Sequence, residues 1–359
     1  MMGIATEAAP RIGRTQLPAV VRAFEPADAA RWEAFAAGCA SATFFHRLGW
    51  RAIIEDVFRH QTHYLLAERG GEIAGILPLA QVKSRLFGHA LVSLPFCVYG
   101  GPAASDAQAE RVLIDAAAAL GQTLGTDHLE LRNRAVKCAG WPRQDLYVTF
   151  RQNIAPDVEA NMLAVPRKQR AMIRKGIRNE LRAEVDATVD RFFALYADNV
   201  HRHGTPPFPK AYFARLLREF GDDCEVLIVT TAQGTPVSGV LSFRFRDEVL
   251  PYYAGDTREA RDLAANDFKY WEVMRRACER GAGVFDYGRS KRGTGSFDFK
   301  KNWGFEAEPL AYEYRLYKRA AIPENNPLNP KFQAMVALWR RLPRPVANAI
   351  GPMIVRNLG

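Results

Sequence analysis

YLLAERGGEIAGIL, residues 64–77, returns later in the chain as VLIVTTAQGTPVSGVL, residues 226–241. Each is an apolar run, a glycine-bearing turn and a second apolar run containing Gly75 or Gly239, which is the signature of a β-hairpin. Further strand residues follow each hairpin, then a helix ending near Gly125 or Gly281, then a short strand over 129–131 or 285–287. Repetition of this order implies two copies of one α/β unit, each a central mixed sheet flanked by helices. The expected division is a mobile tail over 1–21, a first unit over 22–160, a second over 161–318, and a linker with a C-terminal amphipathic helix over 319–359. In the first unit a helix is expected to start at Asp28 as N-cap, and residues 91–98 to form a strand.

The second copy runs into GAGVFDYGRSKRGTGSFDFKKNWGF, residues 281–305. An apolar-aromatic strand here meets a glycine-rich loop that carries Arg289, Lys291, Arg292, Lys300 and Lys301. Its glycines let backbone approach a ligand closely, while Phe297, Phe299, Trp303 and Phe305 can anchor the loop in a core. Such a loop can hold an anion; the same composition also suits a plain basic surface turn.

Between the copies, a helix beginning near Pro166 places Arg170, Arg174 and Arg178 on one face, with Arg167 beside them. Like charges at this spacing cost about 0.2–0.5 kcal/mol per pair. A phosphate or nucleic-acid surface and a solvated face are the two readings of the stripe. His201 and His203 flank an arginine ahead of Pro206 and Pro207, but no third ligand has metal spacing, and no metal is expected. Tyr252 and Tyr253 end a strand, where they can line a pocket or pack in a core, and Asp262 is a cap candidate for the next helix. Phe332, Met335, Val336, Trp339 and Leu342 share the apolar face of a helix over 331–342, which either docks on the protein or lies on an acidic membrane.

The net charge of +10 points to an anionic partner, without choosing among nucleic acid, nucleotide-linked substrate and membrane surface. Five scattered cysteines without a C-x-x-C pair argue against a zinc knuckle or a disulfide framework, and fit a reduced, cytoplasmic setting. The first residues lack the apolar core of a signal peptide, and no apolar run reaches the length of a membrane span. Absence of a G-x-S-x-G elbow, a Walker A loop and a dinucleotide G-x-G-x-x-G after a strand weighs against hydrolase, kinase and dehydrogenase chemistry.

Taken together, the duplicated hairpins, Pro166-Arg167-Lys168-Gln169-Arg170 with Ile173-Arg174-Lys175-Gly176, Phe285-Asp286-Tyr287-Gly288 and Phe299-Lys300-Lys301-Asn302-Trp303-Gly304-Phe305 resemble the FemAB-like branch of the GNAT acyltransferase superfamily, over about 22–318. The wording HGTPPFP, GRSK, GTGS and FKKNWGF is nearest to FemAB-type proteins of bacterial exosortase/PEP-CTERM and exopolysaccharide systems. The resemblance implies two GNAT-like folds in tandem with a substrate channel near their junction. It also implies transfer of an activated acyl or aminoacyl group to an amine, with aminoacyl-tRNA or acyl-CoA as cosubstrate and no tightly bound cofactor. Lys300 matches the lysine of the Fem F-K-x-G-F pattern, with two extra residues before Gly304 in this chain, and would stabilise the oxyanion. Asp286 and Asp298 are the candidate proton acceptors. Arg170, Arg174, Lys175, His203, Tyr253, Arg289 and Lys291 are the candidate substrate contacts. The second unit lacks the Q/R-x-x-G-x-G/A pyrophosphate loop of ordinary GNAT enzymes, which turns phosphate binding over to arginines. The partner expected is an anionic donor or acceptor, such as tRNA, CoA or a nucleotide-linked sugar. The setting expected is cytoplasmic, with peripheral contact at the inner membrane through 331–344.

Overall fold

The first hairpin pairs Leu65–Arg69 with Glu72–Leu77 through a turn in which Gly70 and Gly71 both take positive φ, as the glycine pair anticipates. This computed structural model describes residues 17–84, 87–323 and 330–358. Residues 1–16 of the expected tail and 324–329 of the expected linker lie outside the described residues. Val20–Ala23 and Ala103–Ala104 flank the hairpin in a four-stranded sheet. The second hairpin, Cys224–Thr230 with Pro236–Phe245, stands at the corresponding place in the second unit.

In both units the hairpin leads to a parallel pair joined through a helix. Gly88–Val92 runs parallel to His128–Asn133 across the helix Ala107–Thr123. Glu248–Asp256 runs parallel to Val284–Asp286 across the helix Ala265–Glu279. The repeat read from sequence is therefore one of architecture. In the second unit the parallel pairing covers only Glu248 and Val249, yet the strand continues to Asp256, so its far half parts from its neighbour. In the first unit the pairing ends at Val92. The strand expected over 91–98 stops there because Leu94 and Phe96 adopt positive φ, which an extended strand cannot contain.

The sheets do not follow the expected boundaries at 160 and 318. Arg151–Asn153 pairs with Val284–Asp286 of the second unit, and Ala311–Leu316 returns to pair with His128–Asn133 of the first. A small sheet of Ser290–Lys291, Tyr147–Thr149 and Glu308–Pro309 ties the crossing segments together. Each unit is thus completed by a strand from beyond its own stretch of chain. Between the units lies a shared aromatic core, in which Phe44 stacks on Phe243 at 4.3 Å and Trp50 meets Phe220 at 5.4 Å. Aromatic pairs of this kind add about 0.5–1.5 kcal/mol beyond the area they bury.

Four further expectations are corrected by local geometry. The second half of the basic loop is a helix, Gly295–Asn302, because Thr294 caps it by accepting from the backbone N–H of Phe297. Asp262 caps nothing, since Ala264 in the left-handed region immediately precedes Ala265–Glu279. Asp28 binds Arg22 and the backbone N–H of Glu25, so it does not cap the helix Ala29–Gly38. The C-terminal segment holds two helices, Pro330–Arg341 and Arg344–Val355; Pro343 separates them because it lacks the N–H that a continuous helix needs. Among the described residues no helix is long and apolar enough to cross a membrane.

Gly255 sits where the backbone of the helix Asp190–Arg202 crosses the long strand, and a Cβ there would lie 2.4 Å from the backbone N of Tyr196. Backbone cannot rotate aside as a side chain can. Gly255→Ala is expected to cost about 1–3 kcal/mol, read as a lower Tm by calorimetry, whereas Gly71→Ala, beside open space, should be limited to the strain of its positive φ.

Candidate active site

The parting of Glu248–Asp256 from Val284–Asp286 opens a cavity of about 1060 Å³. One side is lined by Pro251, Tyr252 and Tyr253, the other by Tyr287, Gly288 and Arg289. The first unit closes it with Val98, Glu130 and Arg132, and the returning strand adds Tyr312 and Tyr314. Both halves of the chain therefore build one site.

Lys300 reaches this cavity from the short helix Gly295–Asn302. Its Nζ donates to the carbonyl oxygens of Tyr287 at 2.7 Å, Gly288 at 3.0 Å and Arg289 at 3.1 Å. Three acceptors match the three hydrogens of an ammonium, and a neutral amine would leave one carbonyl without a donor. Burial nevertheless pulls the group down to about 7, with Asp286 opposing that shift and Arg289 adding to it.

Arg289 lies 4.5 Å over the ring of Tyr147 and donates to the Tyr312 hydroxyl at 3.2 Å. Tyr312 in turn donates to the Val98 carbonyl at 2.6 Å, so the guanidinium is fixed by residues of the first unit and of the returning strand. Lys291 sits 5.6 Å from the Tyr147 ring. Burial, with Arg289 adding, lowers it from 10.5 to about 8. His203 and Tyr253 also line the cavity, the former lowered chiefly by burial and then by Arg202 and Arg340, the latter hydrogen-bonded to Tyr212 at 2.9 Å. The other histidine of that segment, His201, is engaged with the Leu342 carbonyl at 3.0 Å. No group of His, Cys, Asp or Glu suited to a metal stands together among the described residues.

Asp286 and Asp298 are not among the residues that line the cavity. Asp286 points to the opposite face of its strand from Phe285 and Tyr287, fully buried, and accepts from Gly288 N at 2.7 Å, Arg151 Nε at 3.1 Å and the Tyr99 hydroxyl at 3.1 Å. Burial raises it and Arg151 pulls it back. Asp298 is exposed in the first turn of its helix. Arg170 and Arg174 line a separate shallow hollow of about 490 Å³ with Arg167, Ala171 and Arg178, and Lys175 is half-buried on the same helix, Arg167–Arg178. No carboxylate among the described residues pairs with any of these four arginines.

Glu130 and Arg132 were not anticipated as site residues. They form a buried pair at 2.8 Å, and Arg132 also donates to the Cys97 carbonyl at 2.9 Å. The signal in the sequence is a charge at alternate positions, Glu130 and Arg132 interleaved with Leu129 and Leu131, where a strand ought to be apolar. Tyr312 and Tyr314 carry the same two-residue period.

Residues 167–301 match the family described as Acetyltransferase (GNAT) domain. The matched stretch lies within the second unit. Solved structures extend the likeness to the whole fold. FemX is 14% identical, with a TM-score of 0.63 over 86% of this chain and 98% of that one. The C-terminal domain of a putative lysylphosphatidylglycerol synthetase from Agrobacterium fabrum is also 14% identical, with a TM-score of 0.55 over 87% and 95%. A tandem GNAT protein from the clavulanic acid biosynthesis pathway is 12% identical, with a TM-score of 0.52 over 85% and 100%. At such identities the likeness is one of fold, and the fold is two GNAT units in tandem. No curated protein matches the chain's sequence.

With Lys300 near 7 and Lys291 near 8, the cavity loses positive charge as pH rises from 6 to 9. Affinity for sulfate, whose own charge stays constant over that window, should therefore fall severalfold across it, measured by titration calorimetry. Lys291→Met should remove the part of the fall centred near pH 8. A flat profile in the unaltered protein would mean that neither lysine contributes charge to the ligand.

Proposed function

We propose that the chain is an acyl- or aminoacyltransferase that joins an activated acyl group to an amine of a cell-envelope or exopolysaccharide-related acceptor, working in the cytoplasm. The observation that carries this reading is the cluster of buried Lys300 with half-buried Arg289 and Lys291, facing one cavity where the GNAT units meet. A cavity of this charge suits an anionic cosubstrate and a transition state that develops negative charge.

In the reaction proposed, the lone pair of a neutral amine attacks the carbonyl carbon of an ester or thioester. The C–N bond forms, negative charge collects on the carbonyl oxygen, and the C–O or C–S bond then breaks. The proton leaving nitrogen ends on the departing alcohol or thiol, carried by water. Lys300 supplies the positive charge that lowers the oxyanion's energy, and its grip on the carbonyls of residues 287–289 keeps that charge in place. Arg289 and Lys291 hold the anionic part of a substrate, with His203 and Tyr253 along the wall. Asp286 and Asp298 stand apart from the cavity lining, so no proton transfer is routed through them.

Two donors have separate support. The hollow on the arginine helix, which takes in Arg170 and Arg174, favours a polyanion such as the tRNA of an aminoacyl-tRNA, a choice with which the resemblance to FemAB-like proteins agrees. The acetyltransferase domain match favours acyl-CoA as donor, for which an amino sugar is the acceptor proposed. The same resemblance supports a setting among exosortase/PEP-CTERM and exopolysaccharide proteins.

Purified protein supplied with charged tRNA or with acyl-CoA, together with envelope precursors bearing amines, should give a donor-specific mass gain. Lys300→Met should lower kcat by about 10²- to 10³-fold, with a smaller change in KM and in sulfate affinity. Equal loss of kcat and of sulfate binding would reduce Lys300 to a holder of the loop. Anion binding without turnover on either donor would leave a non-catalytic anion-binding factor of the envelope machinery.

A further inference from the structure

Residues 330–358 contain five Lys and Arg and no Asp or Glu, in a chain whose other parts mix both signs. They fold as the two helices Pro330–Arg341 and Arg344–Val355, packed against the helix Asp190–Arg202. On the inner face Trp339, Ala347 and Val355 are buried. Gly204 and Gly351 admit Val336 and Pro207 so closely that an added Cβ would come within 2.5 Å of them. Polar ties fix the same placement: His60 meets the Arg356 carbonyl at 2.6 Å, His201 meets that of Leu342, and Arg344 pairs with Asp198.

The outer face is apolar. Met335 and Leu338 stand out on the first helix, Val346, Ile350 and Met353 on the second, with Leu338 at 64% and Met353 at 67% exposure. Along the second helix the positions 346, 350 and 353 fall on one side, and Pro345 and Ala349, also exposed, widen the same strip. Arg340, Arg341, Arg344 and Arg356 are exposed at the ends of these helices, around that strip. An apolar band ringed by arginines, with Arg344 shared with Asp198, is costly to leave in water. Packing it against a second copy of itself would bring the basic ends of both together. A surface of acidic lipid takes both features at once, since the side chains of the band enter the headgroup boundary while the arginines meet phosphates.

We propose that the paired C-terminal helices dock the protein on an anionic membrane surface. The geometry gives the docking a consequence for the cavity. Val336, Arg340, Val355 and Leu358, from these two helices and the turn after them, form part of its wall, and Arg340 donates to the His203 carbonyl at 3.4 Å. Docking by the outer face therefore sets one wall of the cavity next to the lipid headgroups, where an amine-bearing acceptor carried on a lipid is within reach. This last step rests on the transferase reading; the docking itself does not.

Co-sedimentation of the full chain with vesicles tests it without any donor or acceptor. Vesicles of phosphatidylcholine with phosphatidylglycerol should carry the protein down, vesicles of phosphatidylcholine alone should not, and raised salt should release it. Leu338→Asp combined with Met353→Asp changes exposed positions, so the Tm should hold while the bound fraction falls roughly fivefold or more. No binding to the anionic vesicles, equal binding to both compositions, or binding unchanged in the double variant would each overturn the proposal. So would a dimer in sedimentation velocity that the double variant dissolves, since a second copy would then be what covers the face.

Discussion

A buried ammonium must be surrounded by acceptors, and in this chain one loop bends to provide them. The carbonyls of Tyr287, Gly288 and Arg289 turn in toward Lys300, which positive φ at Gly288 allows. That bend ends the strand Val284–Asp286 and sends Arg289 across to Tyr147 and Tyr312. Leaving such a charge without partners would cost several kcal/mol, so the loop conformation and the lysine position are fixed together. Asp286, on the reverse side of the same strand, places a carboxylate behind the loop and receives the Gly288 N–H. The bend thus holds a cation toward the cavity, while the last residue of the strand before it keeps a carboxylate away from it.

Strand exchange gives this local arrangement its rigidity. The segment carrying Tyr147–Thr149 and Arg151–Asn153 enters the second unit, and the one carrying Ala311–Leu316 goes back to the first. Arg289 therefore bears on Tyr147 and Tyr312, which belong to the two crossing segments, while the aromatic core around Phe44 and Phe243 prevents the units from rolling on each other. A cavity between two units joined only by a linker would change shape with every hinge motion. One whose walls share backbone ladders does not.

The parts of this design that were legible in the sequence are local ones. Period-two apolar runs around Gly70-Gly71 and Gly234 gave the hairpins, and the spacing of Arg170, Arg174 and Arg178 gave a helix with a basic face. Glycines misled where another residue mattered more: Gly288, Gly293 and Gly295 suggested an open loop, but Thr294 ahead of Gly295-Ser296-Phe297 was the cap of a helix. Positive φ at Leu94 and Phe96 could not be foreseen, because tertiary packing of both residues against the shared core imposes it. The site suffered most from non-locality. Glu130 and Arg132 meet Tyr312, and through it Arg289, only because His128–Asn133 pairs with Ala311–Leu316 across nearly 200 positions of chain. Asp286 is the converse case: it is near Lys300 in the chain, but it lies on the other face of its strand from Tyr287 and is not among the residues that line the cavity.

What the cavity lacks narrows the chemistry as much as what it holds. Cys97, beside its wall, is buried and its thiol is pushed well up by that burial, so it carries no thiolate for a covalent step. Tyr252, Tyr253, Tyr287 and Tyr312 are raised for the same reason and remain neutral hydroxyls at any ordinary pH. Glu130, the carboxylate that lines the cavity, is already committed to Arg132. A site furnished with fixed cations, neutral hydroxyls and a paired acid is poor at making a nucleophile and well made for holding one reactant's negative charge. Under the transferase proposal, such a site would accelerate a reaction whose nucleophile arrives ready, as an amine does, by placing it against a carbonyl whose oxygen is about to become negative.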